Sequence, residues 1–163
     1  DYDILERYTT GELLSADSIK VNDSLKFTTK AGRTVYGGGG IIPDVFVPLD
    51  TNGVTDYLIS CNKQSLQVKF ANKFADANRV QLRSVSDFDQ LTKYLDSKDL
   101  KSEFISFTSS VGITPTQEEW KISGEIILTQ VRALIGRYSP LNDEAFYPIY
   151  LSIDNVFKKV MEQ

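Results

Sequence analysis

The chain has 163 residues, carries 18 lysines and arginines against 22 aspartates and glutamates, and contains no histidine. Its 41% hydrophobic and 25% charged residues exclude a disordered or collagen-like chain, and a domain of this length buries about 70% of the surface exposed by its unfolded form. No apolar run approaches the roughly 20 residues of a bilayer-spanning helix, like charges form no block that would mark a nucleic-acid footprint or a membrane-binding face, and the missing histidine removes Ser-His-Asp and Cys-His catalysis together with His-rich zinc sites.

Cys61 is the single cysteine, so no internal disulfide forms and the residue reads as a small buried hydrophobe. The first residues, Asp1-Tyr2-Asp3, show neither a basic N-region nor a cleavage pattern, which suggests a processed or excised piece. The predicted fold class is α+β, mainly α: a short N-terminal strand and loop segment over residues 1–53, then a bundle of about five helices over residues 54–163. In the first zone, turn signals at "TTGELL", "NDSLKF", "KAGRTVYGGGG" and "DTNG" separate the β-prone runs "LKFTT", "RTVY" and "VFVPL".

From Val54 onward the spacing turns helical. Leu58, Cys61, Leu66, Phe70 and Phe74 share a face of a helix predicted from Thr55 to Asn78. A short helix follows from Ser86, with Asp89 three residues on resembling a capping box and Phe88, Leu91, Tyr94 and Leu95 as its stripe. A third spans Asp99 to Ser110, stopped by Gly112 and Pro115. Thr116 and Glu119 make a capping box for the fourth, whose stripe of Trp120, Ile127, Val131, Leu134 and Ile135 runs to Gly136 or Arg137. Pro140 breaks the chain, and a last helix from Asn142 or Asp143 is expected to tolerate Pro148 and to pack Phe146, Ile149, Ile153, Phe157 and Val160.

Few residues suggest chemistry. The four glycines Gly37 to Gly40 precede Ile41, Ile42, Pro43 and a strand-like run instead of a helix, and no lysine with Ser/Thr follows them, so they read as a backbone bend and not a phosphate cradle. Ser60-Cys61-Asn62-Lys63 has the S-x-x-K spacing that places a serine one turn from a lysine base, but the companion S-D-N and K-T-G elements are missing. Asp1, Asp3 and Glu12 match a few calcium-loop positions, while Leu5 and Glu6 stand where an oxygen ligand and a glycine belong. Glu118-Glu119 and Asp143-Glu144 lie in first helical turns, where carboxylates complement the helix dipole. No catalytic, cofactor-binding or metal-ligating residue is assigned on these grounds.

The run Gly40-Ile41-Ile42-Pro43-Asp44-Val45-Phe46-Val47-Pro48 resembles the Gly-Ile-x-Pro-Asp segment downstream of the active site in carboxy-terminal processing peptidases of the S41 serine peptidase family. "RYTTGELLSADSIKVNDSLKFTTKAGRTVYGGGG" is similar to an insertion in one long subtype, and "FANKFADANR" and "QVRALIGRY" resemble its helical tail. The resemblance implies that residues 1–53 belong to the edge of a peptidase core, with the glycine run turning into a strand there, and that residues 54–163 form an appended helical region. Family members pair a serine nucleophile with a lysine base upstream of this segment, so no catalytic residue carries over to this chain. The implied partners are the PDZ-like and catalytic domains of a parent peptidase and its polypeptide substrate, with homo-oligomers allowed and no nucleic acid. The implied location is periplasm or cell envelope. Two other functions compete: a helical interaction module unrelated to proteolysis, and a small enzyme using Ser60 and Lys63.

Overall fold

The computed structural model describes residues 2–12, 14–19, 23–37 and 45–162. The chain divides into two compact units, residues 1–50 and residues 51–163. Its described residues hold nine α-helices and one two-stranded antiparallel sheet, so the fold is α+β and mainly α, as the sequence predicts. No described helix is long and apolar enough to cross a membrane.

The first unit opens with helix α1 (Tyr2–Thr10), in a zone that turn content marks as loop and strand. The segment carries no glycine or proline before Gly11, and its helix forms up to that punctuation. Gly11 takes φ 79°, and the Glu12 N–H reaches back to the Arg7 carbonyl at 3.1 Å. Strands β1 (Lys26–Thr28) and β2 (Thr34–Tyr36) fall inside the two expected runs and pair with Phe27 opposite Val35. The third expected run departs from its pattern: Val45 to Leu49 pairs with no described strand, because alternation supplies a face but the ladder needs a neighbouring backbone. Gly38 to Asp44, with most of the glycine run, lie outside the described residues, as does Asp1. Gly37 donates its N–H to the Leu25 carbonyl at 2.9 Å and is not among the glycines with positive φ.

In the second unit the expected Thr55–Asn78 helix is three: α2 (Asp56–Lys63), α3 (Leu66–Ala77) and α4 (Arg79–Arg83). The first break is at Ser65, a non-glycine residue held in the left-handed region at φ 52°, ψ 41°. The second is at Asn78, whose side chain donates to the Phe74 carbonyl at 2.9 Å and accepts from the Tyr94 hydroxyl at 2.8 Å. Asparagine competes well for backbone groups at such junctions, and Tyr94 fixes this one from a distant helix.

Helix α5 (Phe88–Asp96) starts one residue later than the sequence pattern implies: Asp87, not Ser86, is the N-cap and accepts from the Gln90 N–H at 2.9 Å. Helix α6 (Leu100–Ser110) is capped by Asp99 and closes at Gly112, φ 82°. There the Ile113 N–H bonds the Thr108 carbonyl and the Gly112 N–H bonds the Ser109 carbonyl, at 2.9 and 3.0 Å. Those two bonds are a Schellman closure, in which only glycine takes the left-handed position without strain.

Helix α7 (Gln117–Arg137) begins with the expected Thr116–Glu119 capping box. Ile127, Val131 and Ile135 are fully buried, while Trp120 and Leu134 are half-buried at the edge of the core. The last predicted helix is two, α8 (Asp143–Leu151) and α9 (Asn155–Met161), because Asp154 caps a new helix by accepting from the Phe157 N–H at 2.7 Å. Phe157 and Val160 are consequently exposed instead of packed. Pro148 sits inside α8 as expected.

The core gathers Phe70 and Phe74 of α3, Leu91 and Leu95 of α5, Phe104 of α6, and the α7 stripe. Phe104 meets the Phe70 ring edge-on, with centroids 5.3 Å apart at 85°. Helices α7 and α8 approach closely at Gly136, where an added Cβ would lie 3.1 Å from Ala145 Cβ and 3.3 Å from Leu91 Cδ2.

Candidate functional site

The S-x-x-K pair is placed on α2 but not assembled into a catalytic device. Ser60 is half-buried and Lys63 exposed, so the lysine lacks the enclosure that a lysine base requires. Cys61, between them, is fully buried, and burial pushes its thiol up to about 11, partly offset by a hydrogen bond with Tyr57. A buried thiol held neutral is a packing group and not a nucleophile.

Beside Cys61 stands a buried polar pair. Thr108 Oγ1 lies 3.1 Å from the Ile105 carbonyl and shares a 2.8 Å hydrogen bond with the Tyr57 hydroxyl. Burial drives the Tyr57 phenol well above its ordinary range, against the opposing effect of the Thr108 bond. Both groups stay neutral at physiological pH, and the pair ties α2 to α6 across the core.

The acidic pairs resolve into caps and bridges. Glu119 accepts the Thr116 N–H on Oε2 at 2.9 Å and the Tyr57 N–H on Oε1 at 3.1 Å. These bonds, led by Thr116, hold its carboxyl below the usual range. Ser123 Oγ donates to the Glu119 carbonyl, so Thr55 Oγ1 donates to Ser123 at 2.9 Å while accepting the Leu58 N–H at 3.2 Å. Asp143 pairs with Arg137 at 2.8 Å, and the guanidinium lies over the Phe146 ring at 3.8 Å. Asp3 lies in α1, and no group of three or more metal-ligating side chains exists among the described residues.

Two of the clefts in the helical unit have aromatic walls. One, of about 520 Å³, runs between α3 and α6, with Phe70, Phe74 and Phe107 as its apolar wall and Lys73, Asn78 and Glu103 on its lining. The other, of about 220 Å³, lies where α2 and α3 face α7 and α8, lined by Asn62, Gln67, Val68, Gln130, Leu134 and the stacked rings of Phe146 and Tyr150 among others. Its floor is an amide cluster: Gln67 Nε2 donates to Asn62 Oδ1 at 2.7 Å and to Gln130 Oε1 at 3.0 Å. Reasoning from the sequence missed this cluster. Its one signal was Gln67 in helical phase with the apolar residues Phe70, Ala71 and Phe74, which puts an amide on a buried face.

A family model described as a family of unknown function (DUF8443) matches residues 57–139. No curated protein and no solved structure matches the chain.

Proposed function

Since the chain belongs to the family of unknown function DUF8443, whose match lies within the helical unit, we propose that this unit is a noncatalytic module appended to the core of an S41-family serine endopeptidase. That peptidase would process polypeptides near their C-termini, with the helical module stabilising or regulating it. The observation that carries the proposal is the Gly40-Ile41-Ile42-Pro43-Asp44 to Pro48 pattern, which ends just before the helical unit begins. The exposed Lys63 beside Ser60 agrees with chemistry supplied from elsewhere, since neither an activated nucleophile nor an enclosed base forms around that pair.

The test compares the 163-residue chain with a natural longer form that includes an upstream serine, lysine and PDZ-like domain, both on an unfolded polypeptide. The longer form is expected to cleave and to stop when its upstream serine becomes alanine, and the 163-residue chain to be inert. Turnover by the 163 residues alone that disappears in Ser60→Ala would overturn the proposal. A folded but inert longer form would instead favour a helical interaction module unrelated to proteolysis, which the two clefts would suit.

A further inference from the structure

The smaller cleft contains a polar group with nothing in the protein to bond. Gln67 is only 5% exposed, and both of its described side-chain bonds are made by its nitrogen. No buried side-chain oxygen or nitrogen lacks a partner among the described residues, so Gln67 Oε1, which accepts no bond, keeps access to solvent. The opening that Gln67 lines is this cleft.

The surrounding chemistry narrows what would bond it. Asn62 and Gln130 spend their carbonyl oxygens on Gln67, which turns their NH₂ groups into the remaining donors of the cluster. The cleft thus offers one acceptor and amide donors side by side. None of its lining residues is charged, and Arg137, which lies over the Phe146 ring, is held by Asp143. A carboxylate entering here would meet the Gln67 oxygen without a dedicated cation, and an ammonium would find no anion. One wall is aromatic, made of Phe146 and Tyr150, which stack on each other 5.2 Å apart and 13° from parallel. At about 220 Å³ the space is below the roughly 300–1,000 Å³ of sites for drug-sized ligands, so it fits a group the size of a side chain.

We propose that this cleft binds a neutral, planar carboxamide group of a polypeptide, an asparagine or glutamine side chain or an exposed peptide group. The group would pack against the aromatic side chains of Phe146 and Tyr150, give an N–H to Gln67 Oε1, and take a hydrogen bond from the Asn62 or Gln130 amide. A carboxamide has a donor and an acceptor on one planar edge, which is the complement of that floor. The proposal does not depend on the peptidase assignment: it concerns what the helical unit holds, whatever the unit is attached to.

N-acetyl-glutaminamide is the probe, titrated into the isotopically labelled chain while the side-chain NH₂ resonances of Asn62, Gln67 and Gln130 are followed by NMR. Its isostere with a side-chain carboxylate is the control. Saturable shifts at these three amides are expected, with the carboxylate probe about tenfold weaker, the ratio that a lost hydrogen bond of ~1.4 kcal/mol produces. Gln67→Met, similar in size but without the acceptor, is expected to weaken the glutaminamide by a similar factor. Should that variant fail to fold, Val68→Trp at the half-open rim gives a second arm, in which a bulkier side chain blocks the cleft without touching the floor. No saturable shift up to ~50 mM, well above the millimolar dissociation constant expected of so small a ligand, would overturn the proposal. Equal binding of the two probes, or binding unchanged in the folded variants, would do the same.

Discussion

Replacing Phe104 by alanine tests whether α3, α6 and α7 share one core. Phe104 is completely buried, and its ring stands edge-on to Phe70. Truncating a buried phenylalanine costs about 3–5 kcal/mol through lost transfer energy and the cavity left behind. Alanine returns up to ~0.7 kcal/mol of helix propensity in the middle of α6, leaving a net loss of roughly 2–4 kcal/mol. With a urea slope of about 2 kcal/mol/M for a unit of this size, the midpoint falls by about 1–2 M. A double-mutant cycle with Phe70→Leu and Phe104→Leu should add a coupling of about 0.5–1.5 kcal/mol, the usual worth of such an aromatic pair beyond its buried area. Phe88→Ala, at a residue 39% exposed, serves as the control and should cost under ~1 kcal/mol. A Phe104→Ala loss below ~1 kcal/mol at unchanged slope would refute the packing of α6 on α3, and zero coupling would refute the ring contact.

Gly136→Ala sets two effects against each other: about 1 kcal/mol gained in helix propensity, and an added methyl 3.1 Å from Ala145 Cβ, which has no rotamer by which to yield. Overpacking of about 1–3 kcal/mol should win, so thermal unfolding is expected at lower temperature, and a stabilised variant would show that α8 shifts freely. Acid should also weaken the helical unit. Asp87, bonded first by the Gln90 N–H, and Asp99, bonded first by the Ser102 hydroxyl, both have carboxyls below the ordinary range. Their folded pKa values lie below the unfolded ones, so the unfolded chain takes up protons first and stability is lost as pH falls through about 4 toward the folded values. Asp87→Asn with Asp99→Asn keeps two good N-caps and should flatten the melting temperature between about pH 5 and pH 3; an unchanged acid slope would assign that loss to other carboxylates.

What could be read from the sequence was whatever is decided within one or two turns of chain. The Thr116–Glu119 box, the start of α6 at Asp99 and the Gly112 closure each depend on residues three to five apart, and each is where the pattern puts it. The breaks at Ser65 and Asn78 are different. Neither residue is a glycine or proline, and Asn78 is fixed by a hydroxyl sixteen positions away, so periodicity ran straight through both. Helix α1 was hidden for the opposite reason, since turn residues downstream coloured a stretch that contains none. The cleft needed still longer reach: Gln67 and Gln130 are 63 residues apart, and a glutamine on a helix reads as surface unless its phase with Phe70 and Phe74 is taken as the stronger signal.

Glu119 shows how a local motif acquires a tertiary role. A capping box ordinarily satisfies the exposed donors of one helix, and its carboxylate has two oxygens with room for more than one bond each. Here Oε2 closes the box on Thr116 while Oε1 takes the Tyr57 N–H, one of the unpaired donors of the first turn of α2. Thr55, the cap of α2, in turn donates to Ser123, one turn beyond Glu119 in α7. The start of α2 therefore borrows a capping group from α7, and the Tyr57 N–H lacks that partner until α7 is in place. This borrowing accounts for the cluster of a glutamate and hydroxyl groups near the base of α7. It also links α2 to α7 by polar bonds of defined direction, complementing the apolar core in which Cys61 of α2 and Ile127 of α7 are both buried.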